Sequence, residues 1–136
     1  MSQTRTQKYA GKAMEVVKGV AARPEEQRKE YKSRADSGPT MVMQAGLTQT
    51  LGFLRGKRGV YENYANDIAT VIGEDSAETL HTAAIESDLP RYRRLTRQVL
   101  EAAGLIKRFA QIELAKGREN GKAAASDPRS SSEAGS

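Results

Sequence analysis

Basic side chains cluster at three places: Arg5, Lys8 and Lys12; Arg55, Lys57 and Arg58; and Arg91, Arg93, Arg94 and Arg97. The last group is all arginine, whose planar guanidinium forks match phosphate oxygens better than a point-like ammonium does. On a helix Arg93 and Arg97 stand at i, i+4 with Arg94 on the neighbouring flank, so several can meet one phosphate backbone. Contacts of that kind are sequence-independent and weaken as salt rises. Aromatic residues are few, five Tyr and two Phe with no Trp. Phe53, Tyr64 and Phe109 are expected in the core, which leaves little for a base-stacking platform. Backbone binding is therefore expected over base reading, and a solvated cationic face without a ligand is the alternative.

Other chemistry fails on residue type or spacing. There is no cysteine, which excludes disulfides, thiolate zinc sites, iron–sulfur clusters and a cysteine nucleophile. His81 is the single histidine, without a partner motif for metal ligation or nucleophilic catalysis, and reads as an ordinary helix residue. Gly52 to Arg58 superficially resembles a phosphate-binding loop. Its glycines are one position too close, however, and Arg58 stands where Ser or Thr should meet magnesium. The acidic pairs Asp75/Glu78 and Glu86/Asp88 could in principle hold a divalent ion, but helix capping accounts for Asp75, Glu78 and Asp88 without one. No catalytic residue, metal or cofactor is expected.

The elements that must position these residues are helical almost throughout, because no segment sustains the apolar/polar alternation of a strand. An all-α fold follows, a compact bundle of about five to six helices. Ala10, Ala13, Met14, Val17 and Val20 mark the apolar face of a first helix from Thr4 to Ala22. Pro24 resets the chain and opens a second helix, with Glu25 and Glu26 in its first turn, running to about Ala35. Asp36, Ser37, Gly38 and Pro39 read as a break. A central helix is then expected from Thr40 to Leu54 with Val42, Leu47, Leu51 and Leu54 inside. A fourth follows from Val60 to Ile72 with Tyr64, Ile68, Val71 and Ile72 inside, and Gly73 as its cap. Asp75 and Glu78 resemble a capping box for a short helix carrying Leu80, Ala83 and Ala84 and ending near Ser87. Asp88 is expected to cap the last helix, with Leu95, Val99, Ala103, Ile106 and Ala110 inside and its end near Gly117. Residues 1–117 are thus expected to form a single helical domain. Residues 118–136 lack large apolar groups and are expected to be a disordered tail.

The 136 residues carry a net charge of +5, and the charge is sorted along the chain. Met1 to Arg58 balances at +7, Gly59 to Asp88 holds seven acids without one Lys or Arg, and Leu89 to Ser136 balances at +5. An acidic partner is implied for the basic ends. The polar start, Met1 to Lys8, and the absence of an 18-residue apolar run argue against export or membrane spanning, so a cytoplasmic location is expected.

Gln7-Lys8-Tyr9-Ala10, Tyr31-Lys32-Ser33, Pro39-Thr40, Gln44-Ala45-Gly46-Leu47, Gln49-Thr50-Leu51-Gly52-Phe53-Leu54, Tyr92-Arg93-Arg94-Leu95-Thr96-Arg97 and Lys107-Arg108-Phe109-Ala110 stand in this order along the chain, and their order and spacing carry a resemblance. Through these strings the sequence, from about Gln7 to Ala110, resembles the small helical subunit of type III-B CRISPR effector complexes, the Cmr complexes. Ala45 and Gly52 depart from the family's usual Asn and Ala. The resemblance implies a non-catalytic subunit. Copies of it would stack beside the backbone subunits and the duplex of CRISPR RNA and target RNA, with cleavage done by other subunits. RNA-facing roles are then implied for Lys8, Lys12, Arg93, Arg94, Arg97 and Lys107. If copies stack head to tail, the acidic segment can dock on a neighbour's basic face. Two rival readings stay open, a free-standing helical nucleic-acid-binding regulator and an RNA-cleaving enzyme.

Overall fold

The computed structural model describes residues 3–125, with side chains to residue 115. Six helices follow one another without a strand among the described residues. They are α1 (Arg5–Ala21), α2 (Glu25–Ala45), α3 (Leu47–Lys57), α4 (Gly59–Val71), α5 (Ala77–Glu86) and α6 (Leu89–Ala125). α1 opens on a reciprocal capping box: the Thr4 hydroxyl accepts from the Gln7 amide at 3.0 Å, and the Thr4 amide donates to Gln7 Oε1 at 2.9 Å. This arrangement satisfies two of the amide donors that a helix start leaves free.

The expected break at Asp36–Pro39 does not exist; α2 runs straight through it. Tyr31, Ala35, Gly38 and Val42 form one buried row along α2. Burial of that row offsets the loss of roughly 3 kcal/mol that an interior proline brings. Gly38 is a notch here and not a breaker, since a Cβ at this position would overlap the Tyr64 hydroxyl of α4. Tyr64 in turn packs edge-to-face on Tyr31, with ring centroids 5.7 Å apart.

The chain breaks instead at Gly46, whose φ of +89° is open to glycine and strained for other residues. The central helix expected from Thr40 to Leu54 is therefore two pieces, the end of α2 and all of α3. Thr50 fastens the corner by donating to the Met41 carbonyl at 3.1 Å. A second sharp corner lies at Arg58 and Gly59, both with positive φ, between α3 and α4.

α6 is the spine of the bundle. Its buried row is Leu95, Val99, Ala102, Ala103, Ile106, Ala110 and Leu114. Leu114 lies beside Glu25 and Arg28 at the start of α2. Tyr92 accepts a hydrogen bond from the Thr48 amide, just past the end of α2, at 3.1 Å. The two helices therefore run antiparallel. α1 packs on the other flank of α6, where Glu101 holds both Arg5 (2.9 Å) and Thr6 (2.8 Å). α6 passes the expected end at Gly117 and continues to Ala125, and the rest of the segment expected to be a tail, residues 126–136, lies outside the described residues.

Candidate nucleic-acid interface

Helix α6 is amphipathic, and its polar face follows from its core row. With about 100° per residue, Arg93, Arg94 and Arg97 fall opposite the row from Leu95 to Leu114. All three are exposed. None takes part in an ion pair among the described residues, where the pairs are Arg5 with Glu101, Lys32 with Asp36 and Arg58 with Glu62. The helix start that presents them is fixed by Asp88, whose Oδ1 accepts from the Arg91 amide at 3.0 Å. Arg91 itself turns away, to a shallow depression that it shares with Glu74, Glu78 and Glu86.

Lys8 and Lys12 are exposed on α1. Helical geometry puts them within about 60° of Arg5, whose guanidinium reaches Glu101 of α6. The α1 and α6 cations thus flank one seam. Lys107 departs from this set. It is partly buried and stands seven residues before Leu114, on the flank of α6 that faces α2. A better-placed cation is Arg108, exposed and three helical turns beyond Arg97 in nearly the same register. The spacing 93, 97, 108 along the outer face is the signal that identifies it.

Two members of the remaining basic cluster, Arg55 and Arg58, serve the fold. Arg55, partly buried, donates to His81 Nδ1 at 2.9 Å, so α3 is tied to α5 and the histidine proton sits on Nε2. Arg58 lies 3.6 Å from Glu62. Phe53, expected in the core, is exposed beside Lys57.

The acidic segment is less acidic outside than its sequence. Asp67 is partly buried and accepts from the Tyr31 hydroxyl at 2.6 Å. Burial pushes its carboxyl up to about 6, against the opposing pull of the Tyr31 hydrogen bond and the Arg23 charge. Glu62 is paired and Asp88 caps α6. The expected Asp75/Glu78 capping box is replaced by Ser76, whose hydroxyl accepts from the Thr79 amide at 3.2 Å, because α5 starts one residue later. Glu74, Glu78 and Glu86 are left to make an acidic patch along α5. Among the described residues, no three His, Asp or Glu side chains group closely enough to hold a metal ion, and no helix is long and apolar enough to cross a membrane.

Residues 5–113 match the family described as CRISPR-associated protein (Cas_Cmr5). The CRISPR system Cmr subunit Cmr5 of Thermus thermophilus is 46% identical over 110 residues, which cover 79% of this chain and 94% of that protein. The crystal structure of a CRISPR-associated Cmr5 family protein from the same organism superimposes with a TM-score of 0.78 at 42% identity. The match covers 82% of this chain and 98% of that one.

Proposed function

The chain belongs to the Cmr5 family of CRISPR-associated proteins, and from that membership we propose that it is a non-catalytic small subunit of a type III-B, RNA-guided, RNA-targeting effector complex. It stacks beside the backbone subunits in the cytoplasm and holds guide and target RNA by their phosphates. The observation that carries this reading is the row of exposed arginines, Arg93, Arg94 and Arg97, on the outer face of α6 beside Lys8 and Lys12 of α1, none of the three arginines in an ion pair among the described residues. Several guanidinium forks on one rigid helix give affinity without base readout. Lys107, on the α2 flank, contributes less than the outer arginines.

Purification of the tagged chain from its native host tests the proposal: co-elution with several larger proteins and a short RNA is the expected result, and elution alone would sink it. Incubation of the pure protein with labelled RNA and magnesium is expected to leave the RNA intact. Stacking of copies supplies a role for the acidic patch on α5, which matches the basic α1/α6 face in sign. Replacing Glu74, Asp75 and Glu78 by their amides is then expected to weaken salt-sensitive self-association, and unchanged assembly would refute that contact.

A further inference from the structure

The chain has seven aromatic residues, all among those described, and Phe53 is the one left exposed, with 44% of its surface accessible. It stands on α3 against Tyr61 of α4, with ring centroids 5.9 Å apart and planes at 77°. Cations surround the pair. Lys57 Nζ lies 5.7 Å from the Phe53 centroid and 5.6 Å from that of Tyr61. The Arg34 guanidinium of α2 covers Tyr61 at 4.6 Å. Tyr61 is thereby braced on two sides and holds Phe53 upright through the edge-to-face contact.

An exposed aromatic ring inside a cationic rim fits one ligand chemistry well. An apolar protein surface laid on Phe53 would have to strip water from the exposed Lys57 ammonium, which is costly without a compensating acid. A nucleotide brings a π face for the ring and a negative phosphate for the lysine. Lys57, on its flexible stem, can move from the ring edge to that phosphate. Paired bases inside a duplex are closed to such stacking, whereas every unpaired base offers a face.

We propose that Phe53 and Lys57, braced by Tyr61 and Arg34, form a binding site for an unpaired nucleobase of a single-stranded nucleic acid. The site is built on α2, α3 and α4 and does not rest on the α6 arginines. Phe53 stacks the base and Lys57 holds the adjoining phosphate.

The test is fluorescence anisotropy of the full-length chain with three labelled probes: a decamer of adenosine ribonucleotides, an abasic ribose-phosphate decamer and a ten-base-pair RNA duplex. Phe53→Leu is expected to weaken the adenosine decamer about tenfold while the abasic and duplex probes are unchanged, and Phe53→Tyr is expected to restore it to within about twofold. Lys57→Gln is expected to flatten the salt dependence for the adenosine decamer by about one unit. A variant with Arg93, Arg94 and Arg97 replaced by alanine separates the two surfaces. It is expected to lose duplex binding if α6 holds phosphates, and to keep the preference for adenosine over abasic decamer whether or not α6 does so. Equal binding of adenosine and abasic decamers by the native chain, or equal loss of adenosine and duplex probes in Phe53→Leu, would overturn the site. So would a Phe53→Leu chain that binds RNA normally but no longer co-purifies with larger proteins, because the ring would then be a protein contact.

Discussion

The basic α1/α6 face and the acidic segment from Gly59 to Asp88 look like mirror images in the sequence and are different objects in three dimensions. On α6 the polar face is a by-product of the core row, so Arg93, Arg94 and Arg97 all end exposed and, among the described residues, free of ion pairs. In the acidic segment three of the seven carboxylates serve the fold. Asp67 is inside against Tyr31, Glu62 answers Arg58, and Asp88 caps α6. Carboxylates are short and accept hydrogen bonds, so helix starts and buried hydroxyls recruit them. Arginine, long and donor-only, is more often left at the rim. A charge count along a chain is therefore a fair guide to a cationic helical face and overstates an anionic one.

The largest effect should come from removing the free arginines. With Arg93, Arg94 and Arg97 replaced by alanine, RNA affinity is expected to fall about a hundredfold at low salt. The slope of log affinity against log salt should become shallower by about three units, one for each lost phosphate contact. An unaltered slope would break the comparison, because the face would then be solvated charge and no more.

Asp67→Asn tests the opposite claim, that part of the acidic segment is inside. The carboxyl of Asp67 is raised from 3.8 to about 6 by burial, so between those values the folded chain keeps a proton that the unfolded chain has released. Its contribution to stability is therefore complete below about pH 4 and lost as pH climbs to about 6. The ionised group costs the native state about 3 kcal/mol at neutral pH. The amide, which can still accept from Tyr31, is expected to remove this pH dependence and to stabilise the chain at pH 7.5 by up to that amount. Urea midpoints of the two proteins that stay parallel from pH 4 to 7.5 would place Asp67 outside.

Much of this is legible in the sequence, and the failures have physical causes. Val17, Val20, Leu51, Leu54, Tyr64, Ile68, Leu80, Val99 and Ile106 are expected inside from helical spacing and are buried. The α6 arginines are legible for the same reason. The path of α2 through Pro39 is not, because local signals favour a break there and the deciding contact comes from Tyr64 on another helix. Asp67 escapes notice by its charge, although it sits three residues after Tyr64 and four before Val71, within the buried row of α4. Phe53 reads as core by its type, while its register, off the row of Leu47, Thr50, Leu51 and Leu54, points it outward. Arg108 lies in a matched string and needs only the period of α6 to join Arg97.

A smaller effect separates the true cap of α5 from the expected one. Ser76→Ala is expected to cost about 1 kcal/mol, since the Thr79 amide loses its acceptor, and Asp75→Asn close to nothing. Chemical denaturation of the two variants reads the difference. The reverse ranking would return Asp75 to the fold as the cap of α5.

The smallest effect concerns Glu101, an acid set into the basic face. It lies four residues after Arg97, accepts from Arg5 and Thr6, and so fastens the start of α1 to α6. The Arg5 side chain is 59% exposed and that of Glu101 24%, so solvent screens the pair from one side and its worth to stability is about 1 kcal/mol or less. Glu101→Gln keeps the size of the side chain and an acceptor for Thr6, while freeing the Arg5 charge and removing a negative neighbour of Arg97. Stability is expected to fall slightly. RNA affinity is expected to rise about two- to threefold, with a salt slope steeper by up to one unit, as one more cation becomes available to phosphate. The opposite signs of the two changes are the point of the test. A carboxylate at this seam improves the packing of the two helices at the expense of the field that they present, and a variant that lost affinity along with stability would show the seam to matter only for the fold.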